Sequence, residues 1–136
     1  MPQAEEQNKQ AVRSFFETLS SGDLERVRGL FHEDATWTVA ARDIPGAGTH
    51  VGRDEIVDGF LAPVRGLFAP GDPKVDIQNL VAEGPWVAVE AKGRGHFADG
   101  RVYDNTYCFL LELEDGKVRT LREYMDTQYV STVVPS

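Results

Sequence analysis

The sequence predicts an α+β fold, with helices gathered in the first half of the chain and long antiparallel strands in the second. Up to Phe68, apolar residues recur mainly at helical spacing, with one short strand-like interruption. From Lys74 onward the pattern changes to extended runs rich in β-branched and aromatic residues. Those runs are separated only by Glu83-Gly84-Pro85, Ala98-Asp99-Gly100 and Glu114-Asp115-Gly116, which are hairpin-length turns. Helices segregated to one side of an antiparallel sheet give this fold class. A sheet bent strongly over three such helices makes a half-open cone with a cavity inside.

The elements follow in order. Val12, Phe15, Phe16 and Leu19 make the apolar stripe of a helix from about Ala4 to Leu19. Gly22 suits a left-handed cap, and Asp23 can cap a second helix with the stripe Leu24, Val27, Leu30 and Phe31. His32-Glu33-Asp34 interrupts, and Ala35–Ala40, containing Trp37, reads as a short strand. The Gly/Pro-rich stretch 43–52 is a loop, and Ile56 to Phe68 carries a third helical stripe, with Pro63 predicting a kink or two short helices. Lys74–Val81, Trp86–Phe97 and Arg101–Leu113 are strands, and a last strand continues from Lys117 to Tyr129. Gly93 and Gly95 mark a bulge or bend in the long strand. The termini, including Val130 to Ser136, read as loose.

The 136 residues suit one domain spanning 1–136, with a core from about 6 to 129. The balance of 14 basic against 22 acidic residues, net −8, disfavours nucleic acid and anionic membrane as partners. No apolar run reaches the roughly 20 residues of a membrane span. The polar, acidic start (Met1 to Asn8) lacks a secretory signal and predicts a cytoplasmic protein. One cysteine, Cys108, excludes an intrachain disulfide and fits a reducing compartment. His32, His50 and His96 are scattered without metal-ligand spacing, so neither a metal nor a cofactor is expected. The phosphate-binding glycine signatures and the GxSxG nucleophile elbow are also missing.

Leu30-Phe31-His32-Glu33-Asp34-Ala35-Thr36-Trp37, the run Gly48 to Ile56, Asp115-Gly116-Lys117-Val118 and Arg122-Glu123-Tyr124-Met125-Asp126 together resemble the SnoaL-like, ketosteroid-isomerase-related branch of the nuclear-transport-factor-2-like (NTF2-like) superfamily. The resemblance implies a cystatin-like α+β roll and a homodimer formed through the outer sheet face. It also implies a small hydrophobic ligand in the cone. The isomerases' helix-one tyrosine is replaced here by Phe15 and Phe16. Their general-base aspartate falls where Thr38, Val39 and Ala40 stand. Epoxide hydrolases of this fold use an Arg-x-Asp pair, where this chain reads Glu90-Ala91-Lys92-Gly93. SnoaL-type polyketide cyclases place an acid/base aspartate on the terminal strand, which Asp126 resembles.

Asp126 is therefore the expected acid/base, since an apolar cavity raises a carboxyl toward proton-transfer range. The alternatives are a carboxylate held by Arg122 or one exposed at the strand end. Strict alternation puts Val118, Thr120, Arg122, Tyr124 and Asp126 on one face, taken as the cavity wall with Tyr124 beside the site. Leu121, Glu123 and Met125 fall on the other, taken as a dimer or packing surface. Tyr103, Asn105 and Tyr107 share a face suited to a pocket, or to a cross-strand ladder or dimer surface. Glu90 is a substrate-binding candidate, or a surface partner of Lys92. Trp37 closes the cavity or packs under the helices, and His50 belongs to a lid or a solvated loop. These residues predict cofactor-free proton transfer (isomerisation, cyclisation or hydration) on a hydrophobic carbonyl compound. The alternative is a non-catalytic ligand-binding or dimerisation module.

Overall fold

A computed structural model of the protein describes residues 2–134. Helix α1 (Pro2–Ser21) buries the predicted stripe of Val12, Phe15, Phe16 and Leu19. Gly22, at φ +82°, ends it and donates its N–H to the Leu19 carbonyl. Asp23 then caps α2 (Leu24–Arg28) by accepting from the Arg26 N–H at 3.2 Å. The second helix is shorter than its stripe suggests. Phe31 opens strand β1 (Phe31–Val39), where it pairs with Val118 while its ring stays in the core. Tertiary pairing has overridden local periodicity there, and the charged His32-Glu33-Asp34 is absorbed in an irregular stretch between Phe31 and Thr36.

Strand β2 (Gly48–Val51) lies inside the predicted loop and pairs antiparallel with β1. A π-helical segment, Glu55–Leu61, runs directly into α3 (Ala62–Arg65). Pro63 sits in the first turn of α3, where a missing N–H is tolerated, so the predicted break is a change of helix type. The remaining strands are β3 (Lys74–Glu83), β4 (Trp86–His96), β5 (Val102–Glu114) and β6 (Lys117–Met125). The curved sheet runs in the order β2-β1-β6-β5-β4-β3. It is antiparallel throughout except where β1 meets β6.

One irregularity governs the site. Glu112 pairs with Thr120, but Leu113 pairs with Val118, which leaves Arg119 as an extra residue in β6. A bulge of this kind exchanges the two faces of a strand. Val118 faces the core before it, and Leu121 and Glu123 do so after it. Gly93 and Gly95, by contrast, continue an unbroken ladder opposite Asn105 and Tyr103. The last strand stops at Met125, and helix α4 (Thr127–Val133) follows where a loose tail was expected. Of that tail, Pro135 and Ser136 lie outside the described residues, as does Met1.

The core sits between α1, the π-helical segment and the inner sheet face. Phe15 meets Phe31 edge-on at 5.4 Å, and Phe16 meets Phe109 at 4.8 Å. Each such buried side chain contributes roughly 1.5–3 kcal/mol. No helix is long and apolar enough to cross a membrane.

Candidate functional site

The inner face of the sheet and the helices enclose a cavity of about 120 Å³. Most of its wall is apolar: Leu19 from α1, Val39 from β1, Phe60 and Leu61 from the π-helical segment, Phe109 from β5 and Met125 from β6. Val130 and Val134 close it from the C-terminal side. Four polar side chains reach this wall besides Trp37: Glu123, Tyr103, Tyr107 and Arg65.

Glu123 stands in mid-sheet, opposite Phe109 on β5 and Val39 on β1. It is 9% exposed, and the Trp37 Nε1–H donates to its Oε1 at 2.9 Å. No Lys or Arg among the described residues forms an ion pair with it. Burial pushes its pKa up to about 7, against the opposing effect of the Trp37 hydrogen bond. Near neutral pH it therefore exchanges readily between carboxylic acid and carboxylate.

Tyr103 and Tyr107 lie on the same face of β5, and their hydroxyls hydrogen-bond to each other. Burial raises both above the ordinary tyrosine range, well above it for Tyr107, where the Glu123 charge adds to the effect. Both remain protonated donors around neutral pH. Asn105 Nδ2 donates to the Tyr103 hydroxyl at 3.0 Å and to the Asp126 carbonyl at 3.2 Å. Two hydroxyls sharing one bond leave one O–H for a further acceptor. Gly93 makes room for this arrangement, because a Cβ there would stand 2.6 Å from the Tyr107 ring.

The predicted residues divide cleanly. Trp37, Tyr103 and Tyr107 line the cavity, and Asn105, buried behind Tyr103, fixes its hydroxyl. His50 lies behind the wall: it stacks on Phe60 at 4.3 Å, and its Nε2 contacts the Gly46 carbonyl at 2.7 Å. Glu90, Tyr124 and Asp126 are exposed and do not line the cavity. Glu90 pairs with Cys108 on the outer face, and Tyr124 is 44% exposed. Asp126 is the N-cap of α4, its Oδ1 accepting from the Tyr129 N–H at 3.0 Å. Arg122 does not hold Asp126; its guanidinium lies over Trp86. The bulge at Arg119 explains the inversion, since it turns Glu123 inward and Tyr124 outward. Glu123 and Arg65 are the site residues that the sequence reading did not select. For Glu123 a signal existed: it is one acid between Leu121 and Met125 on an otherwise apolar face.

The chain matches the family model of the SnoaL-like domain over residues 12–121. No curated protein matches it. Among solved structures, Bal32a from a soil-derived mobile gene cassette is 25% identical, with TM-score 0.81, covering 96% of this chain and 97% of its own. TerC, co-crystallised with polyporic acid, is 20% identical at TM-score 0.83, covering 96% and 99%. A protein assigned as a SnoaL-like polyketide cyclase from Jannaschia sp. CCS1 is 22% identical at TM-score 0.79, covering 97% and 95%.

Proposed function

We propose, for a chain that belongs to the SnoaL-like domain family and has the NTF2-like fold, that the cavity binds a small, largely apolar carbonyl compound and that Glu123 moves a proton on it. The observation that carries this reading is Glu123 itself: a buried carboxyl with one neutral N–H donor, poised at about 7 in an apolar cavity beside two tyrosine hydroxyls. A general acid/base works best when its pKa lies near the working pH. The expected acid/base role thus passes from Asp126 to Glu123.

The chemistry balances without an added cofactor. The Glu123 carboxylate takes a proton from the carbon beside the carbonyl, breaking a C–H bond and forming an O–H bond on Glu123. The electron pair moves to the carbonyl oxygen, and the spare tyrosine O–H donates to the enolate so formed. The carboxylic acid then returns the proton to carbon or oxygen, which completes an isomerisation or sets up a ring closure. A cavity of about 120 Å³ suits one ring or a short branched chain; a 150 Å³ apolar cavity holds benzene.

The direct test is hydrogen–deuterium exchange beside the carbonyl of cyclohexanone and 4-methyl-2-oxopentanoate in D2O, followed by proton NMR. The expected result is exchange above the buffer rate, rising with pH through a midpoint near 7 and lost in Glu123→Gln. Exchange at the buffer rate would favour a non-catalytic ligand-binding module. The homodimer implied by the family belongs to the same proposal, with the outer sheet face around Tyr124 as its interface. Sedimentation equilibrium of the wild type against Tyr124→Glu tests it, a monomeric wild type being the contrary result.

A further inference from the structure

The cavity contains a cation that nothing in the protein neutralises at close range. Arg65 is on the wall, at the end of α3. Its Nη1 donates to the Pro73 carbonyl at 3.3 Å. Its Nη2 is buried and makes no hydrogen bond to any of the described residues. A buried donor left this way costs more than a solvated one, and more again when it belongs to a charged group.

Two structural explanations for that nitrogen can be examined. The first is that Arg65 caps the C-terminus of α1, since Nη2 lies near Gly22, 3.9 Å from where a Cβ would stand. The carbonyls there already have donors. Thr18 O accepts from Ser21 Oγ, Leu19 O from the Gly22 N–H, and Ser20 O from Lys74 Nζ. The second is an ion pair with Asp72, the acid whose charge acts on Arg65. Asp72 is engaged elsewhere, its Oδ2 accepting from the His96 N–H at 2.9 Å, and it forms no salt bridge with Arg65 among the described residues. Burial lowers the pKa of Arg65, with Asp72 opposing, yet a guanidinium stays protonated. Here, then, is a desolvated fork of N–H donors on the wall of an apolar cavity.

We infer that Arg65 is the anchor for an anionic oxygen group, so that the ligand is a small carboxylate-bearing molecule with an apolar body directed past Phe68 and Tyr107 toward Glu123. This rests on the cavity being a ligand site, as proposed above, and narrows the ligand to organic acids. Arg is suited to the task because its planar fork matches a carboxylate with two parallel N–H donors. The polarity of the cavity also fits, with a cation at one position of the wall and a carboxyl able to become neutral at another.

A matched pair of probes tests the anchor. Benzoate and benzamide have nearly the same shape, but only benzoate is anionic. Binding of each is measured by calorimetric titration at about pH 6, below the Glu123 midpoint, so that the wild-type carboxyl is mainly neutral. Wild type should bind benzoate more tightly than benzamide by on the order of tenfold, the value of one charge-assisted hydrogen bond in a buried site. Arg65→Gln should lose that preference while keeping its affinity for benzamide, and Arg65→Lys should restore part of it. A role limited to supporting α1 would weaken both probes together. Equal binding of the two probes by wild type overturns the anchor and leaves the cavity as a ligand site. Binding of neither overturns both. The wild-type comparison stands even if a variant folds poorly.

Discussion

Glu123 and the carboxylates around Arg28 are opposite treatments of the same functional group. On the surface, Arg28 meets Glu25 at 3.0 Å, Asp54 at 2.7 Å and Asp58 at 2.8 Å. Hydrogen bonds to that guanidinium hold Glu25 and Asp58 below their ordinary range. Water surrounds these acids and screens the cluster, so its contribution to folding is small. In the cavity both water and counter-charge are withheld, and Glu123 moves the other way, to about 7. A high density of acids therefore marks no site in this protein. The acid with reactive potential is the one that stands apart.

The comparison breaks most visibly at Glu123→Gln. If proton transfer runs through this carboxyl, the variant should lose exchange by on the order of a hundred- to ten-thousand-fold. Stability carries a second signature. A folded pKa of about 7 lies above the ordinary value of 4.5, so the folded protein holds a proton that the unfolded chain releases. Wild-type stability is then complete below about pH 4.5 and falls as pH rises through 7, by about 3 kcal/mol in all. Urea denaturation of Glu123→Gln should lack that decline. A wild type equally stable at both ends of the range would mean that the carboxyl is not desolvated.

Trp37→Phe tests the single donor. Losing the Nε1–H removes what favours the carboxylate, so the exchange midpoint should move further up and stability above it should drop by about 1–3 kcal/mol. An unmoved midpoint would assign the tuning to another group. Asp126→Ala should cost about 1 kcal/mol through loss of the α4 cap, read as a lower melting temperature, and Asp126→Asn less than that. The smallest effect belongs to Arg28→Ala, which should leave the pH profile of exchange unchanged; a shifted profile would erase the contrast between the two regions.

Much of the architecture was legible from residues alone. The stripe in α1, the Asp23 cap, the hairpin turns and the SnoaL-like motifs all gave the fold class, because these signals are local. The site was legible only in part. Trp37, Tyr103, Asn105 and Tyr107 converge as their shared faces suggested. The face of β6 did not follow, because period-two reading assumes an uninterrupted strand and Arg119 interrupts it. That bulge is defined by the partner strand, with Thr120 opposite Glu112 and Val118 opposite Leu113, so it has no counterpart in local sequence. Arg65 was hidden for a related reason, since its significance lies in what fails to approach Nη2.

Helix α4 gives the chamber an end wall that belongs to no strand. Val130 and Val134 face the enclosed space, while the Asp126 cap, the Asn105 contact and the Tyr129 hydroxyl on the Asp104 N–H fasten the helix from outside it. The dimensions of the chamber can thus be altered from the chain terminus without crossing a single β-ladder. Larger or smaller side chains at 130 and 134 would resize the space for a guest while the sheet keeps its register. Selectivity for size and integrity of the scaffold are held in separate stretches of chain, so one can drift while the other is preserved.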